Sequence, residues 1–220
     1  MHLELVELLR CPNPHAPSVL VVSSDKTSAR YVMQGVLGCP ECGAEYPIRD
    51  GISLFGADSP EAARGSTVDP ANADSELALR VAAQLAMTEG RSVYTLVGYS
   101  SRVVLAIRAV VPARLIVINP VGVDAIGDAS ITLATAPAGV VRTQGRLPLT
   151  RSRMDGLAFA SQPDAGWLAQ AVELLKPGGR VVAPATGAVP VGVVELVRDA
   201  HQWVATRERV ASAPIGMTRR

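Results

Sequence analysis

Three cysteines and one histidine near the amino terminus have the side-chain types and the spacing of a metal site. The run Cys39-Pro40-Glu41-Cys42-Gly43 places two thiolates on one tight turn, so that both can reach a single zinc ion. Gly43 permits the positive φ that such a turn requires. A tetrahedral structural site needs two further ligands, and a Cys-x3-His pair upstream can supply them. The sequence therefore predicts a zinc site made of Cys11, His15, Cys39 and Cys42; the alternative is a fold that has lost the metal and persists on its apolar core.

A second candidate site is the turn Leu96-Val97-Gly98-Tyr99-Ser100-Ser101, which joins a short apolar strand to an apolar helix. In nucleotide-binding α/β domains, the first strand-to-helix turn of this kind holds the phosphates or the methionine moiety of the ligand. Gly98 has the expected character, whereas Tyr99 is bulky. The function of the chain depends on whether this turn binds a cofactor.

Length and composition limit the classes of protein to which the chain can belong. Its 220 residues suffice for one medium domain, or for a domain of about 150 residues with a small module. Apolar residues make up 48% and charged residues 19%, which predicts a buried core, and a net charge of +1 argues against a broad basic face for nucleic acid. We expect neither a membrane span nor a signal peptide. Three cysteines are too few for a disulfide scaffold, so a reducing, cytoplasmic setting is expected.

The segment 1–55 is predicted to form a small β module around the metal ligands. A short helical turn with one apolar face precedes Cys11-Pro12. Two strand-like runs follow, Ser18–Ser23 and Arg30–Leu37. The polar residues Ser24–Ser28 are expected to form the turn between these two strands.

Two segments of this module resemble a known family. Leu5-Val6-Glu7-Leu8-Leu9-Arg10-Cys11-Pro12 and Cys39-Pro40-Glu41-Cys42-Gly43-Ala44-Glu45-Tyr46-Pro47-Ile48-Arg49-Asp50-Gly51-Ile52 look like the small zinc-ribbon proteins that activate tRNA and translation-factor methyltransferases. Pro14 stands where that family has its second cysteine, and Ser53 where it usually has proline. The resemblance implies a partner-binding module rather than a catalyst. Because so small a module has little core of its own, we expect it to dock on the remainder of the same chain.

The remainder of the chain is predicted to be a linker at 56–74 followed by an α/β domain at 75–220. Gly56–Asp74 is rich in Ala, Gly, Pro, Ser and Asp, with one helical turn expected at Pro60–Arg64. Ser75 is expected to cap a helix that Gly90 ends.

Beyond that helix, short apolar strands alternate with helices, which predicts a doubly wound, mostly parallel sheet. The expected strands are Val93–Val97, Arg114–Asn119, Gly139–Thr143, Leu157–Ala160 and Arg180–Pro184, and the expected helices are Arg102–Val111 and Gly166–Leu175. The stretch Val121–Ala134 is expected to be irregular. Val193–Arg198 and Gln202–Arg207 predict a closing hairpin, with one continuous helix as the alternative.

The segment Ala171-Val172-Glu173-Leu174-Leu175-Lys176-Pro177-Gly178-Gly179-Arg180-Val181-Val182 resembles the S-adenosylmethionine-dependent methyltransferase fold, in which a Leu-Lys-Pro-Gly-Gly turn precedes the fifth strand. Upstream, Arg146-Leu147-Pro148-Leu149 and Met154-Asp155-Gly156-Leu157 resemble the segment before the fourth strand of these enzymes. The similarity covers about Ser92–Arg209 and implies S-adenosylmethionine as the cofactor.

The positions that bind the cofactor in that fold differ in this chain. The usual first turn, Asp/Glu-x-Gly-x-Gly-x-Gly, corresponds to Thr95–Ser101, which contains one glycine. The acidic residue that usually accepts hydrogen bonds from the ribose hydroxyls is replaced by Asn119. The Asp that usually binds the adenine amino group is replaced by Gln144. Neutral acceptors contribute about 0.5–1.5 kcal/mol each, less than charged ones, so we expect binding to be weaker by orders of magnitude. If a cofactor is retained, the residues that bind it are Gly98, Tyr99, Ser100, Asn119 and Gln144.

The arginines around the same predicted sheet edge offer further chemistry. Arg142, Arg146, Arg151 and Arg153 are either an anion or RNA-phosphate contact or a solvated loop with paired and exposed side chains. Asp155 is expected to be structural. The residues after the fourth strand lack the Asn-Pro-Pro-Tyr type of signature, which disfavours an amino-directed methyltransferase.

The sequence is compatible with two functions. In the first, a methyltransferase-like sheet that has lost its cofactor serves as a scaffold or partner-binding pseudoenzyme, with its ribbon fused in cis. In the second, the chain is an active S-adenosylmethionine-dependent methyltransferase with an atypical cofactor turn and a built-in activator. The expected partner class is a methyltransferase or a translation-related protein. The sequence names no catalytic residue and gives no support for nucleic acid.

Overall fold

A computed structural model describes residues 1–56, 71–121 and 136–208 of the chain. Within these ranges the strands are β1 Val21–Ser28, β2 Tyr31–Gly38, β3 Glu45–Arg49, β4 Ile52–Phe55, β5 Val93–Val97, β6 Arg114–Ile118, β7 Ala138–Thr143, β8 Met154–Phe159, β9 Leu175–Pro184, β10 Val193–Arg198 and β11 Gln202–Arg207. The helices are α1 Leu3–Val6, α2 Ala71–Gln84, α3 Ser101–Val110 and, as α4, Ala165–Leu174.

The described strands form one sheet in the order β1-β2-β3-β4-β7-β6-β5-β8-β9-β11-β10. Strands β4 to β9 pair in parallel, and β11 returns antiparallel beside β9. All residues of β5 and β7 are buried, because the parallel part of the sheet is covered on both faces. The predicted α/β, mostly parallel methyltransferase-like sheet with a small amino-terminal β module is confirmed.

The amino-terminal β module and the parallel strands share this sheet. Strand β4 pairs in parallel with β7, from Ile52 opposite Val140 to Phe55 opposite Thr143. Strands β1 to β4 are otherwise antiparallel to one another. The ladder between β4 and β7 therefore extends the parallel sheet through the module, and backbone hydrogen bonds join the two parts.

The module also covers one face of the parallel strands. Leu5, Leu8 and Leu9 are at most 2% exposed and lie in the same core cluster as Leu147 and Leu149. Two backbone hydrogen bonds fix this contact, from Arg10 N to Pro148 O at 2.9 Å and from Thr150 N to Leu8 O at 2.8 Å. The connection from β7 to β8 thus packs against residues 5–10 of the module, on the face of the sheet that α4 also covers.

The opposite face is covered by α2 and α3. Its core includes Ala78 and Val81 of α2, Val104 and Ile107 of α3, and Leu96 of β5, all completely buried. These side chains recur at helical spacing, and the face they form packs on the alternate side chains of the strands.

Several predicted boundaries agree with the structure, and the predicted hairpin is confirmed by β10 and β11, so the continuous helix is wrong. The predicted polar turn at Ser24–Ser28 is also wrong: these residues belong to β1, and the reversal falls at Ala29, whose φ is 51°. Cross-strand pairing with β2 therefore outweighs the turn propensity of the polar residues.

The helix α2 begins at Ala71, four residues before Ser75, so the prediction that Ser75 caps it is wrong. It ends at Gln84, before Gly90. The expected helical turn at Pro60–Arg64 lies outside the described residues, as does nearly all of the stretch Val121–Ala134. The domain boundaries stay a prediction.

Candidate functional site

The four predicted zinc ligands lie together at the tips of two loops. Their ligand atoms, the Sγ atoms of Cys11, Cys39 and Cys42 and a ring nitrogen of His15, all lie within 4.8 Å of one another. Cys11 and His15 follow α1, and the other two cysteines lie on the turn between β2 and β3. Two of the ligands, Cys11 and Cys42, are 31 positions apart in the sequence.

The separations between these atoms fit a tetrahedral zinc ion. Zinc at its usual distances from sulfur and nitrogen sets sulfur atoms about 3.8 Å apart, and sulfur and nitrogen about 3.6 Å apart. The Sγ atoms of Cys11 and Cys42 are 3.7 Å apart. The His15 Nε2 atom lies 3.1 Å from Cys11 Sγ and 3.5 Å from Cys39 Sγ. The donor set therefore suits zinc in both chemistry and spacing.

The histidine presents the correct nitrogen to this cluster. His15 Nδ1 lies 2.7 Å from the carbonyl oxygen of Ala16. A carbonyl only accepts hydrogen bonds, so Nδ1 carries the proton and Nε2 offers its lone pair to the three thiols. A hydrogen bond from the ring nitrogen that does not face the metal is what orients metal-bound histidines in general.

The cysteine turn is held by its own backbone and lowers the pKa of two of the thiols. Gly43 has a φ of 69° and donates its N–H to Cys39 O at 2.9 Å. Although burial opposes it, hydrogen bonds from the backbone of Cys42 and Glu41 lower the pKa of Cys39. The backbone N–H of Ala44 lowers the pKa of Cys42 in the same way. Amides aimed at sulfur favour the thiolates that zinc requires.

Tyr46 is a residue of this site that the sequence analysis did not select. Its hydroxyl lies 3.1 Å from Cys11 Sγ, and burial comes first among the causes that raise the pKa of both groups. Asn13 contributes a further donor, from Nδ2 to Cys42 Sγ at 3.4 Å. Tyr46 lies in the Tyr-Pro-Ile run that carries the family resemblance, which was the available signal; for Asn13 the sequence offered none.

At the second candidate site, the polar groups of the first turn bond to the chain itself. Gly98 adopts a φ of 75°, which explains the glycine. Ser100 is the N-cap of α3, its Oγ accepting from Val103 N at 3.3 Å. The N–H of Ser101 donates to Val121 O at 3.3 Å. The amides of Ser101 and Val103, at the start of the helix where a ligand would bind, therefore already have acceptors.

Tyr99 fills the space beneath this turn. Its side chain is 1% exposed, it packs in the core between α3 and the sheet, and its hydroxyl donates to Phe159 O at 3.4 Å. Burial raises the pKa of Tyr99. The bulky residue in the turn is therefore a core residue.

Asn119, at the end of β6, bonds to the neighbouring strand. Its Nδ2 donates to Thr143 O at 2.7 Å, and its Oδ1 accepts from Thr143 N at 2.9 Å. Its φ of 46° turns the side chain toward β7. Gln144, the other position of this edge, is exposed directly beyond β7. The structure thus brings Asn119 close to the Gln144 backbone but engages its amide in the fold.

The predicted cluster of four arginines does not form. Arg142 lies within β7 and is 5% exposed, which contradicts the solvated-loop interpretation for this residue. Arg151 pairs with Glu173 at 3.1 Å, and with Arg146 it lines a groove of 330 Å³ beside the cysteine cluster. Arg153 lines a different cavity. Side chains alternate between the two faces along β7, and the chain then turns back toward β8, so these arginines lie on different surfaces although they are close in sequence.

The Leu-Lys-Pro-Gly-Gly segment lies within β9, so the prediction of a turn before a strand that begins at Arg180 is wrong. Gly178 has a φ of 82°, and a Cβ on Gly179 would lie 2.9 Å from Lys176 O. The Lys176 ammonium is 2.8 Å from a carboxylate oxygen of Asp155, which also accepts from Val93 N at 2.8 Å. Asp155 therefore joins three strands, and its predicted structural role is confirmed.

Comparison with known proteins gives one family match, at the amino terminus. Residues 2–51 match the family model described as Trm112p-like protein. No curated protein matches the chain. Similar solved structures include geranyl diphosphate C-methyltransferase from Streptomyces coelicolor, with 14% identity, 51% of this chain and 42% of that chain covered, and a TM-score of 0.41.

Two other solved structures are similar at the same level. Phosphoethanolamine N-methyltransferase 2 from Haemonchus contortus has 11% identity and a TM-score of 0.41 over 49% of this chain and 27% of that one. The tRNA (m1A58) methyltransferase TrmI from Aquifex aeolicus has 10% identity and a TM-score of 0.45 over 68% of this chain and 74% of that one. This chain therefore spans less than half the length of two of the three relatives.

Residues 2–51 are thus similar to the Trm112p-like family, and the strands that follow them form a mostly parallel α/β sheet. Among the described residues, no helix is both long and apolar enough to cross a membrane.

Proposed function

We propose that this protein is a degenerate methyltransferase-like scaffold that binds a protein partner and does not use S-adenosylmethionine. The observation that carries the proposal is the pair of hydrogen bonds between the Asn119 amide and the backbone of Thr143. In a methyltransferase the residue at this position accepts hydrogen bonds from the ribose hydroxyls of the cofactor. Here both of its polar atoms bond to the backbone of Thr143 and hold two strands together, so only one N–H and one lone pair of the amide are left for a cofactor.

The other candidate cofactor residues support the same interpretation. Ser100 caps α3, and the Ser101 amide has an acceptor within the chain. Tyr99 is buried in the core. A bound cofactor would compete with each of these contacts, and a buried donor or acceptor left without a partner costs about 1–3 kcal/mol.

The ribbon is proposed to hold zinc as a structural ion. Cys11, His15, Cys39 and Cys42 would fill all four tetrahedral positions, so the ion would crosslink the two loops and would have no open position for substrate. Its contribution would be folding free energy for a module with little core of its own. Through β4, that module is built into the edge of the parallel sheet, so backbone hydrogen bonds hold it there within one chain.

Isothermal titration of the zinc-loaded full chain with S-adenosylmethionine tests the proposal. We expect no heat of binding at millimolar ligand. Micromolar affinity would overturn the scaffold assignment.

The alternative function, an active methyltransferase with a built-in activator ribbon, has one observation in its favour. Gly98 keeps a φ of 75° at the first turn, and no side chain in the described part of the chain lies closer than 3.8 Å to the position of its missing Cβ. The turn therefore keeps a backbone shape that lets a ligand approach. Binding of S-adenosylmethionine together with methyl transfer to a partner protein would favour this function, whereas binding alone would not.

A further inference from the structure

Arg142 carries an unexplained charge at the edge of the sheet where doubly wound folds bind their ligands. It is the last residue but one of β7, and its side chain is 5% exposed. Neither its Nε nor its Nη2 atom has a hydrogen-bond partner among the residues that the structure describes. A buried charge without a partner costs several kcal/mol, so such a group is expected to have an anion nearby.

The two unpartnered atoms belong to the same edge of the guanidinium group. Nε–H and one N–H of Nη2 point in parallel, and this pair binds the two oxygens of a carboxylate or a phosphate side by side. Burial is the cause that lowers the pKa of Arg142, and no carboxylate among the described residues opposes it. The described residues therefore leave a complete bidentate donor edge available.

The position of Arg142 indicates what kind of anion it would bind. It lies between Leu54, its partner in β4, and the end of β6, where Asn119 N donates to Val141 O. In dinucleotide-binding sheets, an acidic residue about 20 positions after the glycine turn binds the ribose hydroxyls, and a nearby arginine instead accommodates a ribose phosphate. Asn119 follows Gly98 by 21 positions (119 − 98) and is neutral.

We propose that Arg142 binds a phosphate group at the β6–β7 edge of the sheet, and that this group is the ribose phosphate of a nucleotide. A neutral residue at the end of β6 next to an unpaired arginine on β7 is the combination that favours a phosphorylated ribose over a free one. This inference goes beyond the scaffold function, and its test contains no S-adenosylmethionine, so either proposal can fail while the other stands.

The test uses the zinc-loaded full chain and three probes: adenosine 2′,5′-bisphosphate, adenosine 5′-monophosphate and inorganic phosphate. By isothermal titration, we expect the bisphosphate to bind at least about tenfold more tightly than the monophosphate, as one charge-assisted bidentate contact allows. Equal affinities for the two nucleotides would overturn the assignment. Binding of inorganic phosphate alone would also overturn it, because the site would then take free oxyanions only.

Substitutions link this preference to the side chain. We expect Arg142→Met to abolish the preference for the bisphosphate, and Arg142→Lys to weaken it, because lysine keeps the charge but lacks the planar fork. The matched control is Arg146→Met, which removes an exposed arginine four positions away and should leave the preference unchanged. A preference that persists in Arg142→Met would refute the proposal.

Thermal unfolding without ligand provides a second readout. Since Arg142→Met removes a buried and unpaired charge, its midpoint should equal or exceed that of the wild type. A clear loss of stability would mean that a partner within the chain already neutralises Arg142, and would overturn the proposal. Addition of adenosine 2′,5′-bisphosphate should raise the midpoint of the wild type and of Arg146→Met, but not that of Arg142→Met.

Discussion

The substitution Asn119→Asp replaces one NH2 group by an oxygen and tests whether this side chain is engaged in the fold. In the wild type, Nδ2 donates to Thr143 O at 2.7 Å and Oδ1 accepts from Thr143 N at 2.9 Å. A carboxylate keeps the second bond, loses the first, and places a negative oxygen against a carbonyl oxygen. The φ of 46° suits aspartate as well as asparagine, so backbone strain stays constant.

The expected cost follows from these two contacts. Loss of one hydrogen bond costs about 1 kcal/mol, and the carbonyl left facing a carboxylate adds about 1 kcal/mol, since Asn119 is half-buried and water can solvate part of the site. At pH 7 we therefore expect the free energy of unfolding to fall by about 2 kcal/mol. With a urea dependence of about 2 kcal/mol per molar, the midpoint would fall by about 1 M.

The cost should depend on pH. The facing carbonyl disfavours the ionised form of the introduced carboxyl, so its pKa in the folded state lies above the unfolded value of about 3.9. Above the folded pKa the full cost is present. As the pH falls through that value, the carboxyl takes up a proton and donates to Thr143 O, so the variant recovers stability relative to the wild type.

Urea unfolding at pH 7 and at pH 4 measures both the loss of stability and its dependence on pH. Variant and wild type are compared at each pH, because the effect of proton uptake by the cysteine cluster is then the same in both and cancels. The control is Asn119→Gly, which removes both hydrogen bonds, tolerates the positive φ and should show no pH dependence relative to the wild type. Identical midpoints for wild type and Asn119→Asp at pH 7 would refute the reasoning, because the amide would then be free for a ligand.

Three further predictions concern the ribbon. His15→Ala should lower the zinc content and the thermal midpoint of the purified protein, measured by metal analysis and calorimetry, whereas the exposed His201→Ala should change neither. Tyr46→Phe should weaken zinc binding about 10–100-fold in a chelator competition. The control Tyr31→Phe removes a hydroxyl that accepts from the Ala138 amide of β7, and it should leave zinc binding unchanged. Equal zinc affinities of the wild type and Tyr46→Phe would exclude a role for the Tyr46 hydroxyl. Ser53→Ala should raise the free energy of unfolding by about 1 kcal/mol in urea, since its Oγ is buried without a partner among the described residues, and a loss of stability would contradict this.

Local patterns predicted the parallel strands and the cysteine cluster well. The strand Val93–Val97 and the hairpin strands Val193–Arg198 and Gln202–Arg207 have the predicted bounds, because runs of apolar and β-branched residues are properties of the segment itself. The zinc cluster was predictable because its ligand types and spacing are rare, so Cys11 and His15 had few competitors as partners of the Cys-x-x-Cys turn.

Long-range contacts were not predictable. The pairing of β4 with β7 joins segments almost ninety positions apart, and four residues such as Ile52–Phe55 carry no signal for a parallel partner. The engagement of Asn119 with Thr143 likewise depends on strand order, since the sequence predicts the type of the side chain but not which backbone it meets. The burial of Arg142 follows from its place in a covered strand, whereas charge alone suggested solvent.

A continuous series of contacts connects the cysteine cluster with the candidate cofactor edge. Cys11 Sγ lies 3.1 Å from the Tyr46 hydroxyl, and the Tyr46 ring packs on Phe55 with centroids 4.6 Å apart. Phe55 is the register partner of Thr143, which holds Asn119. Interiors packed this densely deform as units, so displacement of one member disturbs the next. A zinc ion in the ribbon would therefore stabilise the edge of the sheet through packing, and fusion of the two parts in one chain makes that stabilisation independent of concentration.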